Sequence, residues 1–149
     1  MLKSTKGSAM LGAVIACMVI AVFATLLLEW HRVYTVKENM DRELSRAVNL
    51  AIDLSMDDTA RGYHSSKIDT QIARNEFYSY LENDMNLGGA LSGPNDEFRL
   101  FIESLDIQPD PPSISVTGHI ELKAGYFSIM PKINIPVKAK SRNRRTDDG

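Results

Sequence analysis

The sequence contains only one cysteine, Cys17, so no disulfide bond can form within the chain. Its three histidines, His31, His64 and His119, are scattered and show none of the spacings that are typical of zinc ligands. Neither cross-links nor a bound metal are therefore expected to hold a folded domain together. We predict a small domain that is stabilised by the burial of apolar side chains and has no cofactor.

The motifs of the common enzyme classes are absent as well. The chain has no GxSxG, CxxC, HExxH, P-loop or GxGxxG pattern. The acid pairs Asp57-Asp58 and Asp147-Asp148 lie in polar segments, where adjacent carboxylates do not form the dry pocket that a catalytic acid needs. The segment from Pro94 to Glu97 supplies too few oxygen ligands for calcium. We predict that the protein is not an enzyme and has no small-molecule substrate.

Charge is missing from one long stretch of the chain. The 22 residues from Gly7 to Leu28 are all uncharged and mostly apolar. As a helix they would extend over about 33 Å, which matches the hydrocarbon core of a bilayer, about 30 Å thick. Secretory signals usually have a shorter apolar segment that ends at a small-residue cleavage site, and none precedes Glu29. We expect a basic leader over 1–7 and a membrane-spanning helix over 8–28.

The helix is predicted to continue beyond the apolar stretch. Neither glycine nor proline occurs between Leu28 and Gly62. Apolar residues recur there at steps of three and four, which is typical of one buried helix face: Val33, Val36, Met40, Leu44, Ala47, Ala51 and Leu54. One helix is therefore predicted from about Ser8 to Met56, with an amphipathic stalk over 29–56. Trp30 and Tyr34 would then anchor it at the membrane interface, where such rings are favoured.

Residues 57–141 have the patterns of a small α+β head. A polar loop leads to a possible capping box from Ser66 to Asp69, and an amphipathic helix is predicted from about Ile68 to Leu87. Three segments of alternating polarity follow, beginning near Phe98, Ile114 and Ile133. They predict an antiparallel three-stranded meander with one apolar face, which the second helix or the upper part of the first would cover.

Pro136 and the C-terminal tail lead to two further predictions. Pro136 lacks a backbone N–H, so it predicts that the third strand lies at an edge of the sheet. The tail over 142–149 is basic and polar, but no aromatic residues alternate with its charges. We therefore expect a solvated tail and no nucleic-acid partner.

The N-terminal half resembles the type IV pilin superfamily. A basic leader ends at Lys6-Gly7, Ser8-Ala9-Met10-Leu11 follows, and an apolar helix then becomes amphipathic. The continuation LLLEWHRVYTVKENMDRELSRAVNLAID is most similar to the TadE-like minor pilins of tight-adherence (Flp-type) systems. In that family a prepilin peptidase cuts after the glycine, and the helix remains as filament core or membrane anchor. The resemblance implies a cleavage junction at Lys6, Gly7 and Ser8.

The resemblance also implies partners and a location. Its partners would be the membrane, the prepilin peptidase, the pilus assembly machinery and other pilin-like subunits. The chain would lie in the bacterial cytoplasmic membrane with its N-terminus inside and its head outside, or in an extracellular filament. The charge bias alone favours the opposite orientation, because more basic residues follow the span than precede it.

One position departs from the family pattern. Pilins usually carry a glutamate five residues after the cut, and this chain has Gly12 there, which favours a minor subunit. Small side chains nonetheless recur along the span and would let helices approach closely in lipid: Ala9, Gly12, Ala13, Ala16, Ala21 and Ala24. These residues are the predicted helix-packing surface, although alanines of a plain lipid-facing anchor give the same pattern.

Two other interpretations remain open. In the first, the chain is an uncleaved single-pass protein whose external head is a binding module of an envelope complex. In the second, Val14-Ile15-Ala16-Cys17 is a lipoprotein signal and Cys17 carries the lipid. The eleven uncharged residues after Cys17 are unlike the polar segment that usually follows such a signal.

Overall fold

A single helix, α1, runs without a break from Thr5 to Ser55, and the other elements pack against its second half. The structure, a computed structural model, describes residues 5–56, 67–88, 90–123 and 132–142, with the backbone alone for 5–8 and 142. Four predicted features lie outside these ranges, wholly or in part. They are the leader, the polar loop after residue 56, the turn before the third strand and the tail.

The prediction of one long helix is confirmed. The predicted bounds were Ser8 and Met56, and the helix starts three residues earlier and ends one residue earlier. Ion pairs one turn apart support its exposed side, with Lys37 bonded to Asp41 and Arg42 to Glu38, where the N···O distance is 3.0 Å. No glycine or proline interrupts this part of the chain, so nothing in the sequence breaks the backbone hydrogen-bond ladder.

The second helix, α2, runs from Thr70 to Ser79 and starts later than predicted. The carboxylate of Asp69 accepts hydrogen bonds from the backbone N–H groups of Gln71 and Ile72, at 2.8 and 3.1 Å. Asp69 is thus the N-cap itself rather than the N3 residue of a capping box that begins at Ser66, and Ser66 lies outside the described residues. Ile68, predicted as helical, instead forms an isolated antiparallel bridge with Met56.

The helix also ends differently from the prediction. A wider π-helical turn, Tyr80–Asp84, continues α2 and buries Leu81. Apolar residues at steps of three and four predict an ordinary α-helix. A single π turn changes this spacing very little, so the sequence pattern did not predict it.

Three strands form one antiparallel sheet in the order β1-β2-β3, as predicted: β1 Phe98–Pro109, β2 Pro112–Leu122 and β3 Ile133–Arg142. A two-residue turn, Asp110-Pro111, joins β1 to β2, because Pro109 pairs with Pro112. Strand β3 is an edge strand, which confirms the prediction from Pro136. The arrangement of a long helix, a short helix and this sheet is the predicted α+β fold.

A β-bulge interrupts β1 between Ile102 and Ser104. It explains why the apolar positions of the strand change phase, from Leu100 and Ile102 to Leu105 and Ile107. Gly118 lies opposite Ile102, and a Cβ atom at this glycine would be 2.1 Å from the carbonyl oxygen of Phe101. Only glycine therefore allows β2 to approach the bulged strand this closely.

The core lies between α1, α2 and the apolar face of the sheet. Its fully buried large side chains are Leu44, Val48, Phe77, Leu81, Leu87, Leu100, Ile114, Val116, Ile120 and Leu122. Since α1 contacts α2 as well as β2 and β3, its buried surface is wider than the single predicted stripe. Val48 and Ile52 are buried, whereas Leu54, predicted to be on the buried face, is 54% exposed.

The sheet lies along the upper half of α1, here residues 29–55, and three contacts define their alignment. Near the midpoint of α1, Arg32 bonds to Glu97, just before β1. Further along, the carboxylate of Asp41 accepts a hydrogen bond of 3.3 Å from the backbone N–H of Lys138 in β3. At the end of α1, the carbonyl of Ser55 accepts a hydrogen bond of 3.1 Å from the N–H of Asp69, the N-cap of α2. Contacts thus follow α1 from its midpoint to its C-terminal end. We call α2, the sheet and their connections the head.

Candidate membrane-anchoring and assembly surface

The first half of α1 is not covered by the head. Every residue from Ala9 to Ala24 is exposed, including Met10 at 74% and Ile20 at 66%. Such a large apolar surface is unfavourable in water, since monomeric soluble proteins rarely expose patches of more than a few hundred Å². By length and composition the described helix is compatible with a single membrane span near the N-terminus.

The head begins where this apolar half ends. Thr25 is half-buried, and the carboxylate residue Glu29 is only 8% exposed, whereas Leu26, Leu27 and Leu28 are exposed. The contact face of α1 therefore starts within one turn of the last apolar residue. The chain thus passes from bare helix to covered helix over a few residues.

A cluster of charged groups around Arg32 joins the helix to the head at this level. The guanidinium of Arg32 lies 3.1 Å from a carboxylate oxygen of Glu29 and 2.6 Å from one of Glu97. It also donates a hydrogen bond of 3.2 Å to the backbone carbonyl of Lys123, at the end of β2. Burial by itself would lower the pKa of Arg32, but the hydrogen bond and charge of Glu97, with those of Glu29, raise it. The guanidinium of Arg32 thus links α1 to the residues that directly precede β1 and follow β2.

Three further cationic residues lie at this end of the head. Arg99, Lys123 and Lys132 are exposed and line a shallow polar depression of about 100 Å³ together with Ser92, Asp96, Phe98 and Glu121. Lys132 lies 2.8 Å from Glu121, and this hydrogen bond holds the pKa of the Glu121 carboxyl below its ordinary value. We call the surface formed by Arg99, Lys123 and Lys132 the base of the head.

The predicted interface anchors follow the apolar half directly. Trp30 is 75% exposed and Tyr34 is 60% exposed, so neither ring is taken up by the core. On a helical wheel of about 100° per residue, Trp30 and Tyr34 lie about 120° and 160° from Val36, which packs against the core. The two rings are therefore free to contact a membrane interface or another helix.

The predicted helix-packing residues lie on the bare half of α1, before Thr25, where the contact face with the head begins. On the same wheel, Ala9, Gly12, Ala13, Ala16 and Ala24 fall within one arc of about 120°. Ala21 lies outside this arc. All six are exposed, and a Cβ atom at Gly12 would have no neighbour within 4 Å. A second helix could approach this side of α1 without meeting the head.

The predicted cleavage junction lies in the first turns of α1. The backbone of Lys6, Gly7 and Ser8 is helical, and their side chains lie outside the described part of the chain. Cys17 is exposed in the middle of the apolar half, and the helix is continuous through it. These two positions are therefore separated by almost three helical turns, or about 15 Å.

The cluster around Arg32 was not predicted from the sequence. Glu29 and Arg32 are three residues apart, a spacing that allows an ion pair on one helix. Their partners Glu97 and Lys123, however, are distant in the sequence and carry no motif. Only the alignment of the sheet along α1 brings them together.

Among the residues that the structure describes, no three side chains of His, Cys, Asp or Glu converge where they could hold a metal ion. Comparisons with protein-family models, with curated proteins and with solved structures found no match to this chain.

Proposed function

We propose that the protein is a non-catalytic, pilin-like subunit, of the minor kind, of a type IV or Flp-type filament or a related secretion apparatus. One observation carries this proposal: a single continuous helix is bare over its first half and bears a small α+β head on its second half. The bare half would occupy the membrane before assembly and the helical core of a filament afterwards. The same apolar surface can serve both purposes because lipid tails and neighbouring apolar helices are similar environments.

The placement of the small residues supports this proposal. An assembly in which α1 helices pack side by side requires a helix face that the head does not obstruct. The arc around Gly12 and Ala16 lies on the bare half of α1, which the head does not cover, and is exposed. Trp30 and Tyr34 lie on the same side, so this face continues into the upper half of α1.

The proposed orientation puts the leader in the cytoplasm and the head outside. A peptidase that cuts after Gly7 on the cytoplasmic side would remove Lys3 and Lys6 and leave the apolar half intact. Glycine at the cut allows a close approach to the backbone, which a side chain would obstruct. The mature chain would then begin at Ser8.

The test is the mass of the mature protein when it is produced together with a prepilin peptidase. We expect a chain that begins at Ser8, and we expect Gly7→Val to keep the leader. Gly12→Val is the matched control: it makes the same change in the same helix beyond the junction, and it should still be processed. An intact leader on the unmodified chain, with the peptidase active on a known substrate, would rule out the pilin-like proposal.

A second candidate function is an uncleaved single-pass protein whose head binds other envelope components. Two observations favour it: Gly12 stands where an assembling pilin usually has glutamate, and the head is firmly attached to its own helix through Arg32. In the same mass measurement it predicts a full-length chain. A lipid-modified chain that begins at Cys17 would instead identify a lipoprotein.

A further inference from the structure

We propose that the base of the head rests on the phospholipid headgroups of the bilayer that α1 spans, with Arg32 holding it there. This inference depends on the proposed membrane insertion and adds the surface that faces the lipid. The head would then have a fixed orientation, with the β1–β2 turn furthest from the membrane.

The first step is a distance along α1. Arg32 lies four residues beyond Leu28, the last residue of the apolar run, which corresponds to about 6 Å of helix. The headgroup region of a bilayer is about 5–8 Å thick on each side of the hydrocarbon core. If the apolar run fills the core, the guanidinium of Arg32 lies within the headgroup region or at its outer boundary.

The second step is the attachment of the strands at this level. Arg32 contacts Glu97, directly before β1, and the carbonyl of Lys123, directly after β2. Phe98 pairs with Leu122, and Leu122 pairs with Ile133, so the start of β3 belongs to the same end of the sheet. The ends of all three strands at the base are therefore brought close to the level of Arg32.

The third step is the chemistry of the base. Arg99, Lys123 and Lys132 can donate hydrogen bonds to lipid phosphates, and the long side chains of lysine and arginine can extend to that level. Asp96 and Glu121 lie beside them, so the base carries both signs of charge and suits zwitterionic headgroups.

The test measures the depth of single labels on the full chain in phosphatidylcholine vesicles. In a Cys17→Ser background, Lys132→Cys and Lys140→Cys each carry a small fluorophore, and a nitroxide attached to lipid headgroups quenches it. These two positions belong to the same strand region and are separated by about 26 Å of extended chain. We expect the label at position 132 to be quenched at least about fivefold more strongly than the label at 140, because the two positions lie at opposite ends of an extended strand.

A third label and two variants make the result decisive. Val19→Cys reports insertion itself through a nitroxide placed on the acyl chain. If that label is not quenched, the proposed membrane insertion fails; if it is quenched while positions 132 and 140 respond equally, only the proposed base contact fails. Lys123→Cys repeats the measurement without disturbing the pair of Lys132 and Glu121. Arg32→Ala should reduce the difference in quenching between positions 132 and 140. Lys37→Ala, which removes only an ion pair with Asp41, is the control and should leave that difference unchanged. An unchanged difference in Arg32→Ala would overturn the role of Arg32.

Discussion

The hydroxyl of Tyr80 donates a hydrogen bond of 2.8 Å to a carboxylate oxygen of Glu43, across the junction between the π turn and α1. The other oxygen of Glu43 accepts a hydrogen bond of 2.8 Å from Arg46. The carboxylate thus has a partner for each oxygen, one from its own helix and one from the head. Because the hydrogen bond from Tyr80 joins residues that are 37 positions apart, it fixes how the end of α2 lies on α1.

Replacing Tyr80 by phenylalanine should weaken this junction. We expect Tyr80→Phe to lower the free energy of unfolding by about 1 kcal/mol, the typical value of one hydrogen bond. Glu43 keeps Arg46 as a partner, so the loss should not be larger. Chemical unfolding of the full chain in detergent micelles measures the change, and Tyr78→Phe, two residues earlier, is the control. Equal stabilities of the unmodified protein and Tyr80→Phe would contradict this role of the hydroxyl.

The same hydrogen bond predicts a pH dependence. Burial raises the pKa of the Tyr80 hydroxyl above its ordinary value of 10.0, and the hydrogen bond to and charge of Glu43 raise it further. A group whose pKa is raised by folding contributes stability that is complete below the pKa of the unfolded chain and is lost as the pH rises through the folded value. We therefore expect the difference in stability between the unmodified protein and Tyr80→Phe to decrease as the pH rises above about 10. A constant difference across this range would contradict the shifted pKa.

The upper half of α1 is predicted to be inseparable from the head. Leu44 is fully buried, so Leu44→Ala should lower the free energy of unfolding by about 2–5 kcal/mol through lost burial and the cavity that remains. Leu54→Ala makes the same change on the same helix at a position that is 54% exposed, and it should change stability by less than about 1 kcal/mol. Pulse proteolysis of the head measures both, and similar losses would contradict the observed burial.

The close approach of β2 to the bulge in β1 predicts that Gly118 cannot be replaced. In Gly118→Ala the new methyl group would meet the carbonyl oxygen of Phe101, a backbone atom that cannot rotate away. We expect a loss of about 2–4 kcal/mol in the free energy of unfolding. Gly88→Ala is the control, because a Cβ atom there has no neighbour within 4 Å. A tolerated Gly118→Ala would show that the two strands can separate at low cost.

The proposed assembly face predicts a difference between two leucine substitutions. Gly12→Leu places a bulky side chain on the small-residue side of α1, and we expect it to weaken association of the full chain in bilayers by about fivefold or more. Val22→Leu adds volume on the same helix outside the small-residue arc and should leave association unchanged. Energy transfer between labelled chains measures both. Equal effects, or none, would reduce the apolar half to a plain anchor.

Much of the architecture could be predicted from local patterns. The uncharged run after Lys6 and the absence of glycine and proline between Leu28 and Gly62 predict the long helix. Alternating residues and Pro136 predict the meander and its edge strand. These predictions succeed because helix periodicity, strand periodicity and chain breakers act over a few neighbouring residues.

Only the tertiary structure decided how these elements are combined. The sequence left open which helix covers the sheet, and both do, because α1 contacts β2 and β3 while α2 contacts α1 and β1. The bulge opposite Gly118, the exposure of Leu54 and the cluster of Arg32 with Glu97 depend on the alignment of the sheet along α1. That alignment is set by the summed burial of side chains from distant segments and by close contacts such as that at Gly118. No local spacing encodes these interactions, so the sequence determines the elements and the fold determines the surface of the head that lies next to the apolar half.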